Sequence, residues 1–125
     1  HSCFVLKNII KTNYSVKLKE ADKVIELGYN FVKKSFYDER NGLYKRFAIK
    51  NKPSLVKFDL YDNSEMLGVA RLLKDSKVVE SLSNNIIKSF FFKKNLFSLI
   101  DVFGNLKNKN TLRWAVMPYI LASSQ

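Results

Sequence analysis

The chain has 125 residues, 46% of them apolar, and a formal net charge of +11. A chain of this length typically forms one domain around an apolar core. Its four glycines and two prolines are too few for the many tight turns of an all-β sandwich. Because Cys3 is the only cysteine, an intrachain disulfide and a cysteine-based zinc site are both excluded.

The excess of basic residues is typical of proteins that bind nucleic acid, an anionic membrane surface or an acidic glycan. Of the 22 basic residues, however, 18 are Lys and only 4 are Arg, and Arg is the residue that makes bidentate phosphate contacts. We therefore favour a solvated lysine-rich surface over a nucleic-acid site. No apolar run approaches the roughly 20 residues that span a bilayer, and the first residues lack the features of a signal peptide. The expected location is the cytoplasm.

Apolar residues recur at helical spacing in five segments. The clearest stripe, with apolar residues at i, i+3, i+4 and i+7, predicts a helix over 16–36. Similar patterns predict four further helices, which cover 3–11, 62–74, 77–92 and the residues after Thr111. At the third helix, Asp62 followed by Glu65 has the pattern of a capping box, in which the two side chains satisfy the first backbone amides.

Between the second and third helices, two short segments alternate between apolar and polar residues. The segments 43–47 and 56–60 are predicted to be the two strands of a small β-hairpin. An Asn-Gly pair, which readily takes positive φ, predicts a turn just before the first of them. After the fourth helix, 96–103 is predicted to be extended and 104–110 to be a polar loop.

The sequence repeats itself after roughly 50 residues, a period typical of repeat architectures. In the first copy 36–37 (FY), a turn and 42–44 (GLY) precede a helix, and in the second copy 90–91 (FF), a turn and 95–97 (NLF) do the same. Each unit is an outer helix, an irregular or β-hairpin excursion and a returning inner helix. By the same logic, 1–12 is the inner helix of a preceding unit whose outer helix is missing.

We therefore predict an all-α fold, with residues 1–125 forming a single domain of tandem helical hairpins that is truncated on its N-terminal side. Short β-hairpin excursions connect its roughly five helices. A helical hairpin buries its faces against its neighbours, so a truncated run leaves an apolar seam. We expect a homo-oligomer, or a partner chain, to cover this seam.

Three stretches resemble the starts of inner helices in (α/α) toroid proteins, the six-hairpin glycosidase-like group. They are 1–3 (HSC), 61–67 (YDNSEML) and 112–119 (LRWAVMPY). The group contains glycoside hydrolases, unsaturated-glucuronyl hydrolases, sugar epimerases and polysaccharide-biosynthesis proteins. The resemblance implies that the chain is part of an α/α toroid, in which loops and inner-helix N-termini line a central cavity that holds a sugar. A full toroid has more than twice as many helices as we predict, so the chain is too short for a complete active site of that kind.

The resemblance also implies roles for four residues. Asp62 and Glu65 are acids at an inner-helix start, where similar proteins place a general acid, a general base or ligands for sugar hydroxyls, and glycoside hydrolysis typically uses two carboxylates. The alternative is that both only cap the helix. Arg113 and Trp114 are the implied sugar-binding pair, since Arg forks onto carboxylates or hydroxyls and Trp offers a flat apolar face. The alternative is a core Trp beside a surface Arg.

Three further residues complete the predicted substrate-binding set. Tyr44 and Tyr61 are expected to line the cavity, although an aromatic cluster is more often part of a core. His1 corresponds to a position near the cavity in similar proteins, and its alternative is a frayed chain end. One histidine is too few for a His-based nucleophile triad or a His metal cluster, and no P-loop or dinucleotide fingerprint points to a cofactor.

Two functional hypotheses follow from the sequence. The first is a segment that binds or processes carbohydrate, in bacterial surface polysaccharide metabolism, with a glycan as its ligand. The second is a lysine-rich helical-repeat module without chemistry that binds a protein or a polyanion. A basic segment interleaved with aromatic residues is compatible with the second hypothesis, because this pattern is typical of proteins that bind single-stranded nucleic acid. Its basic residues are Lys45, Arg46, Lys50, Lys52 and Lys57.

Overall fold

The computed structural model describes residues 2–48 and 54–124. His1 and the predicted basic residues Lys50 and Lys52 lie outside the described residues. The described helices are α1 (Ser2–Val16), α2 (Lys19–Phe36), α3 (Leu60–Leu72), α4 (Ser76–Phe90) and α5 (Met117–Ser124), with a π-helical turn (Leu112–Val116) before α5. The described strands are β1 (Tyr37–Asp38), β2 (Leu43–Tyr44), β3 (Val56–Asp59), β4 (Phe91–Phe92), β5 (Asn95–Asp101) and β6 (Leu106–Lys109).

The prediction of an all-α fold is wrong, because the described strands form two antiparallel sheets and the fold is mixed α/β. β1 and β2 form a two-stranded sheet. In the four-stranded sheet, β5 is central and pairs with β3, β4 and β6. The predicted polar loop over 104–110 contains β6, whose four residues LKNK carry no apolar alternation. Its extended form depends on hydrogen bonds to β5, a partner that local sequence does not reveal.

The predicted β-hairpin between 43–47 and 56–60 is reduced to one antiparallel bridge among the described residues. β2 pairs with β1 across the Asn-Gly turn, with Tyr37 opposite Tyr44, and a single bridge between Lys45 and Phe58 is its link to β3. β3 instead pairs with β5. A carboxylate oxygen of Asp38 accepts hydrogen bonds from the turn, which fixes the tight connection between β1 and β2.

Helix α3 is the centre of the structure, because α1, α4 and α5 all pack against it. It is buried on every side from residue 63 to residue 70, so the apolar spacing that predicted this helix does not mark a single buried face. The side chain of Asp59 accepts a hydrogen bond from the Tyr61 amide at 2.9 Å and caps the helix. The predicted capping box is therefore wrong: Asp62 lies in the first turn of α3, and Asp59 is the cap.

The two halves of the chain repeat the same order of elements. The first is α2, β1, β2, β3 and α3, and the second is α4, β4, β5, β6 and α5. α1, α3 and α5 lie side by side, while α2 packs on α1 and α4 packs on α3. This order agrees with the predicted repeat of outer helix, excursion and inner helix, although the excursions contain more strand than predicted.

The turn between β1 and β2 requires glycine at its fourth position. Gly42 has φ of +64°, and a Cβ atom there would collide with the side-chain amide of Asn85, which donates a hydrogen bond to the Gly42 carbonyl at 3.1 Å. Gly104 has φ of +85° with open space around it. We expect Gly104→Ala to lower the free energy of unfolding by about 1 kcal/mol through backbone strain alone. Gly42→Ala is expected to lower it by about 2–3 kcal/mol.

Urea denaturation of the two glycine variants measures this difference. Equal losses for both variants would contradict the packed contact between Asn85 and the turn.

Candidate functional site

A cavity of about 390 Å³ opens at the N-terminal end of α3. The end of β3, the first turn of α3, the middle of β5, the end of β6 and the π-helical turn all contribute to its wall. Its lining residues are Arg46, Phe47, Asp59, Tyr61, Asp62, Ser98, Leu99, Asn108, Thr111 and Trp114. The volume lies within the usual range for small-ligand sites.

Two carboxylates face this cavity, and both hold a proton more readily than an ordinary aspartate. Burial raises the pKa of Asp62 to about 6, and the neighbouring Asp59 carboxylate adds to the rise. Burial also raises the pKa of Asp59, against the lowering effect of the Tyr61 amide and of Arg46, whose Nη1 lies 3.5 Å from Asp59 Oδ2. A carboxyl with a pKa near neutrality is suited to donate or accept a proton.

An aromatic pair forms another part of the wall. The rings of Tyr61 and Trp114 meet edge to face, with centroids 5.6 Å apart, and the Trp114 side chain is 49% exposed. The guanidinium of Arg113 lies 4.7 Å from the Trp114 ring centroid. Trp114 is therefore not a core residue: it offers apolar surface to a ligand in the cavity and is positioned by its neighbours.

Glu65 and Arg113 lie in a second depression, a groove of about 270 Å³ between α1, α3 and α5. Lys7 Nζ is 2.6 Å from both carboxylate oxygens of Glu65. Glu65 is therefore held in an ion pair in the groove, whereas Asp62 lines the cavity. The structure thus separates the predicted catalytic pair, while Tyr61 lines both the cavity and the groove.

Tyr44 lies outside both depressions and is 5% exposed. Its backbone amide donates to Asn63 Oδ1 at 2.8 Å, and its carbonyl accepts from Asn63 Nδ2 at 3.0 Å. Its ring packs against Tyr37. Asn63 thus links the backbone of Tyr44 in β2 to α3. Tyr44 belongs to the core, which was the alternative to its predicted role in lining the cavity.

Three charged residues of these depressions were not predicted as site residues. Asp59 lay within the predicted strand 56–60, and the capping role was assigned to Asp62. Lys7 and Lys11 face the groove from α1. Their placement depends on the packing of α1 against α3, for which the sequence carries no local signal.

Within residues 2–48 and 54–124, no group of His, Cys, Asp and Glu side chains is arranged to hold a metal ion. No helix in this part of the chain combines the length and the apolar character needed to cross a bilayer. No protein family, curated protein or solved structure matches the chain.

Proposed function

We propose that the chain binds carbohydrate in the cavity at the start of α3. The observation that carries this proposal is the meeting of two carboxylates, Asp59 and Asp62, with a half-exposed tryptophan in one cavity. Carboxylate oxygens accept hydrogen bonds from hydroxyl groups, and charge-assisted hydrogen bonds are stronger than neutral ones. An aromatic ring provides apolar contact for the C–H face of a pyranose.

The polar lining supplies further groups for a hydroxylated ligand. Ser98 is 2% exposed, and it faces the cavity together with Asn108 and Thr111. These side chains donate and accept hydrogen bonds, as a site for a molecule with hydroxyl groups on every side requires. The resemblance of 61–67 and 112–119 to inner-helix starts of sugar-processing toroid proteins supports the same ligand class.

If the bound sugar is processed, Asp62 is the residue that we assign to proton transfer. Its pKa of about 6 keeps it partly protonated near neutral pH, as a general acid requires. Asp59 is the second carboxylate that glycoside chemistry typically needs. This assignment replaces Glu65 by Asp59, because Lys7 holds Glu65 in the neighbouring groove.

Tryptophan fluorescence tests the proposal directly, because Trp114 is the only tryptophan in the chain. Titration with a panel of neutral and acidic oligosaccharides is expected to give a saturable change for at least one of them. Asp62→Asn is expected to weaken that binding about tenfold or more, the effect of losing one charge-assisted hydrogen bond. Asp22→Asn, which changes a carboxylate outside the cavity, is the matched control and should leave the affinity unchanged.

A panel that gives no saturable change contradicts carbohydrate binding. Equal affinities for the wild type and Asp62→Asn would show that the sugar binds elsewhere.

We also propose that another chain covers the two apolar edges of the fold, and a second copy is the simplest candidate. Large apolar side chains are exposed on α2 and on α5. They are Val24, Leu27, Phe31 and Ile120, while Met117 and Leu121, which are also exposed on α5, line the groove. Exposed apolar surface of this extent is typical of interaction sites. Light scattering across a concentration series is expected to show a dimer or larger assembly, and a monomer at all concentrations would contradict self-association.

A further inference from the structure

The groove beside the cavity is strongly cationic. Lys7, Lys11 and Arg113 line it, and Glu65 is the one acidic residue among the described residues of its wall. Glu65 is paired with Lys7 at 2.6 Å. Among the described residues, neither Lys11 nor Arg113 forms an ion pair with a carboxylate, so the groove keeps an excess of positive charge.

A buried hydroxyl group also lacks a partner in this groove. Ser64 lines the groove and is 1% exposed, yet its Oγ forms no hydrogen bond with the described residues. Buried polar groups are almost always hydrogen-bonded. A hydroxyl donor next to two unpaired cations is a suitable environment for an anionic oxygen group.

The groove and the cavity are adjacent. Tyr61 lines both, and Arg113 in the groove lies against the ring of Trp114 in the cavity. A ligand of a few sugar rings can therefore occupy both depressions. Its anionic group is repelled by the carboxylates of Asp59 and Asp62 and attracted by Lys11 and Arg113, which fixes the direction in which it binds.

We infer that the saccharide is acidic and that its anionic group, a carboxylate, sulfate or phosphate, binds in the groove between Lys11, Arg113 and Ser64. This inference rests on the proposed function and narrows its ligand class. It also gives the basic groove a specific partner: the lysines on α1 and the arginine before α5 select the charge of the sugar, while the cavity binds its hydroxyl groups and its apolar face.

The test compares a short uronic-acid oligosaccharide with the same compound after its carboxylates are reduced to hydroxymethyl groups. Calorimetry with the full chain is expected to give at least about tenfold tighter binding of the acidic form, with a preference that falls as salt rises. Lys11→Gln and Arg113→Gln are each expected to reduce the preference severalfold. Lys23→Gln, which removes a charge from the exposed face of α2, is the control and should not change it.

The possible outcomes separate the two proposals. Equal binding of the acidic and reduced forms overturns the acidic-ligand inference and leaves carbohydrate binding intact. If Lys11→Gln and Arg113→Gln both keep the full preference for the acidic oligosaccharide, the anionic group does not bind in the groove. If inorganic phosphate binds as tightly as the acidic saccharide, the groove is a site for a free anion. That result overturns the inference that the groove binds the anionic group of a sugar. If neither saccharide binds, both proposals are wrong.

Discussion

Replacing Asn63 with alanine is expected to lower the free energy of unfolding by about 3–5 kcal/mol, the largest loss among the variants considered. Asn63 is fully buried. Its side chain bonds the amide and the carbonyl of Tyr44, and it also donates to the Asp59 carbonyl at 2.9 Å. Alanine leaves the buried amide and carbonyl of Tyr44 without these partners, and each such group costs about 1–3 kcal/mol.

Asn41→Ala is the matched control for this prediction. Asn41 also bonds to a neighbouring residue, Asp38, but it lies in a surface turn, so its loss should cost less than about 1 kcal/mol. Guanidinium denaturation measures both variants. A loss for Asn63→Ala as small as that for Asn41→Ala would mean that β2 is not anchored to α3 through this side chain.

Asp62→Asn is expected to raise the free energy of unfolding at pH 7 by about 1–3 kcal/mol. The folded protein holds the Asp62 proton more tightly than the unfolded chain, since the pKa rises from 3.8 to about 6, and each pKa unit corresponds to about 1.4 kcal/mol. The contribution of the protonated Asp62 carboxyl to the free energy of unfolding is fully present below pH 3.8 and is lost as the pH rises through 6. Asparagine resembles the protonated form at every pH, so the advantage of the variant should be absent below pH 3.8, grow as the pH rises towards 6 and stay constant at higher pH.

Asp75→Asn is the control, because it is expected to change the free energy of unfolding in the opposite direction. Burial acts to raise the pKa of Asp75, but hydrogen bonds from the Val78 amide, Lys33 and Tyr29 outweigh it and lower the pKa. Its contribution to stability is present above the unfolded pKa and is lost as the pH falls. Asp75→Asn should therefore destabilise the protein by about 1 kcal/mol at pH 7. Denaturation curves at several pH values that showed the same sign for both variants would contradict the raised pKa of Asp62.

The stabilising effect expected of Asp62→Asn also carries functional meaning. The Asp62 carboxylate forms no hydrogen bond or ion pair with the described residues, and no hydrogen bond contributes to its pKa shift. A partly buried carboxylate without such partners lowers stability, and groups of this kind concentrate at binding and catalytic sites. Asp62→Asn is therefore expected to raise the free energy of unfolding and to lower the affinity for the sugar, as a carboxylate kept for ligand binding requires.

The helices were predictable from the sequence because their signal is local. The apolar stripe of α2 repeats every three to four residues, and the observed helix begins only three residues after the predicted start. The strands depend on distant partners: Val56 lies opposite Asp101, and Leu99 lies opposite Lys107. A four-residue segment such as β6 has no preference strong enough to reveal its pairing with β5.

The candidate site was predictable in part. Asp62, Tyr61 and Trp114 line one cavity, an arrangement that the resemblance to inner-helix starts of toroid proteins implied. Glu65 lies one turn along α3 from Tyr61, and its side chain points to the α1 side, where Lys7 holds it. Which face of α3 meets the cavity depends on the packing of three helices around it, and a helix that is buried on all sides gives no sequence pattern to orient it.

Chemical-shift mapping by ¹H–¹⁵N NMR is the most direct test of the carbohydrate site. Titration with the tightest-binding oligosaccharide is expected to shift the Trp114 indole signal and the backbone amides of residues 59–62 and 108–111, while the amides of α4 remain unchanged. Shifts confined to α2 or α4, or no shifts at saturating sugar, would contradict the account.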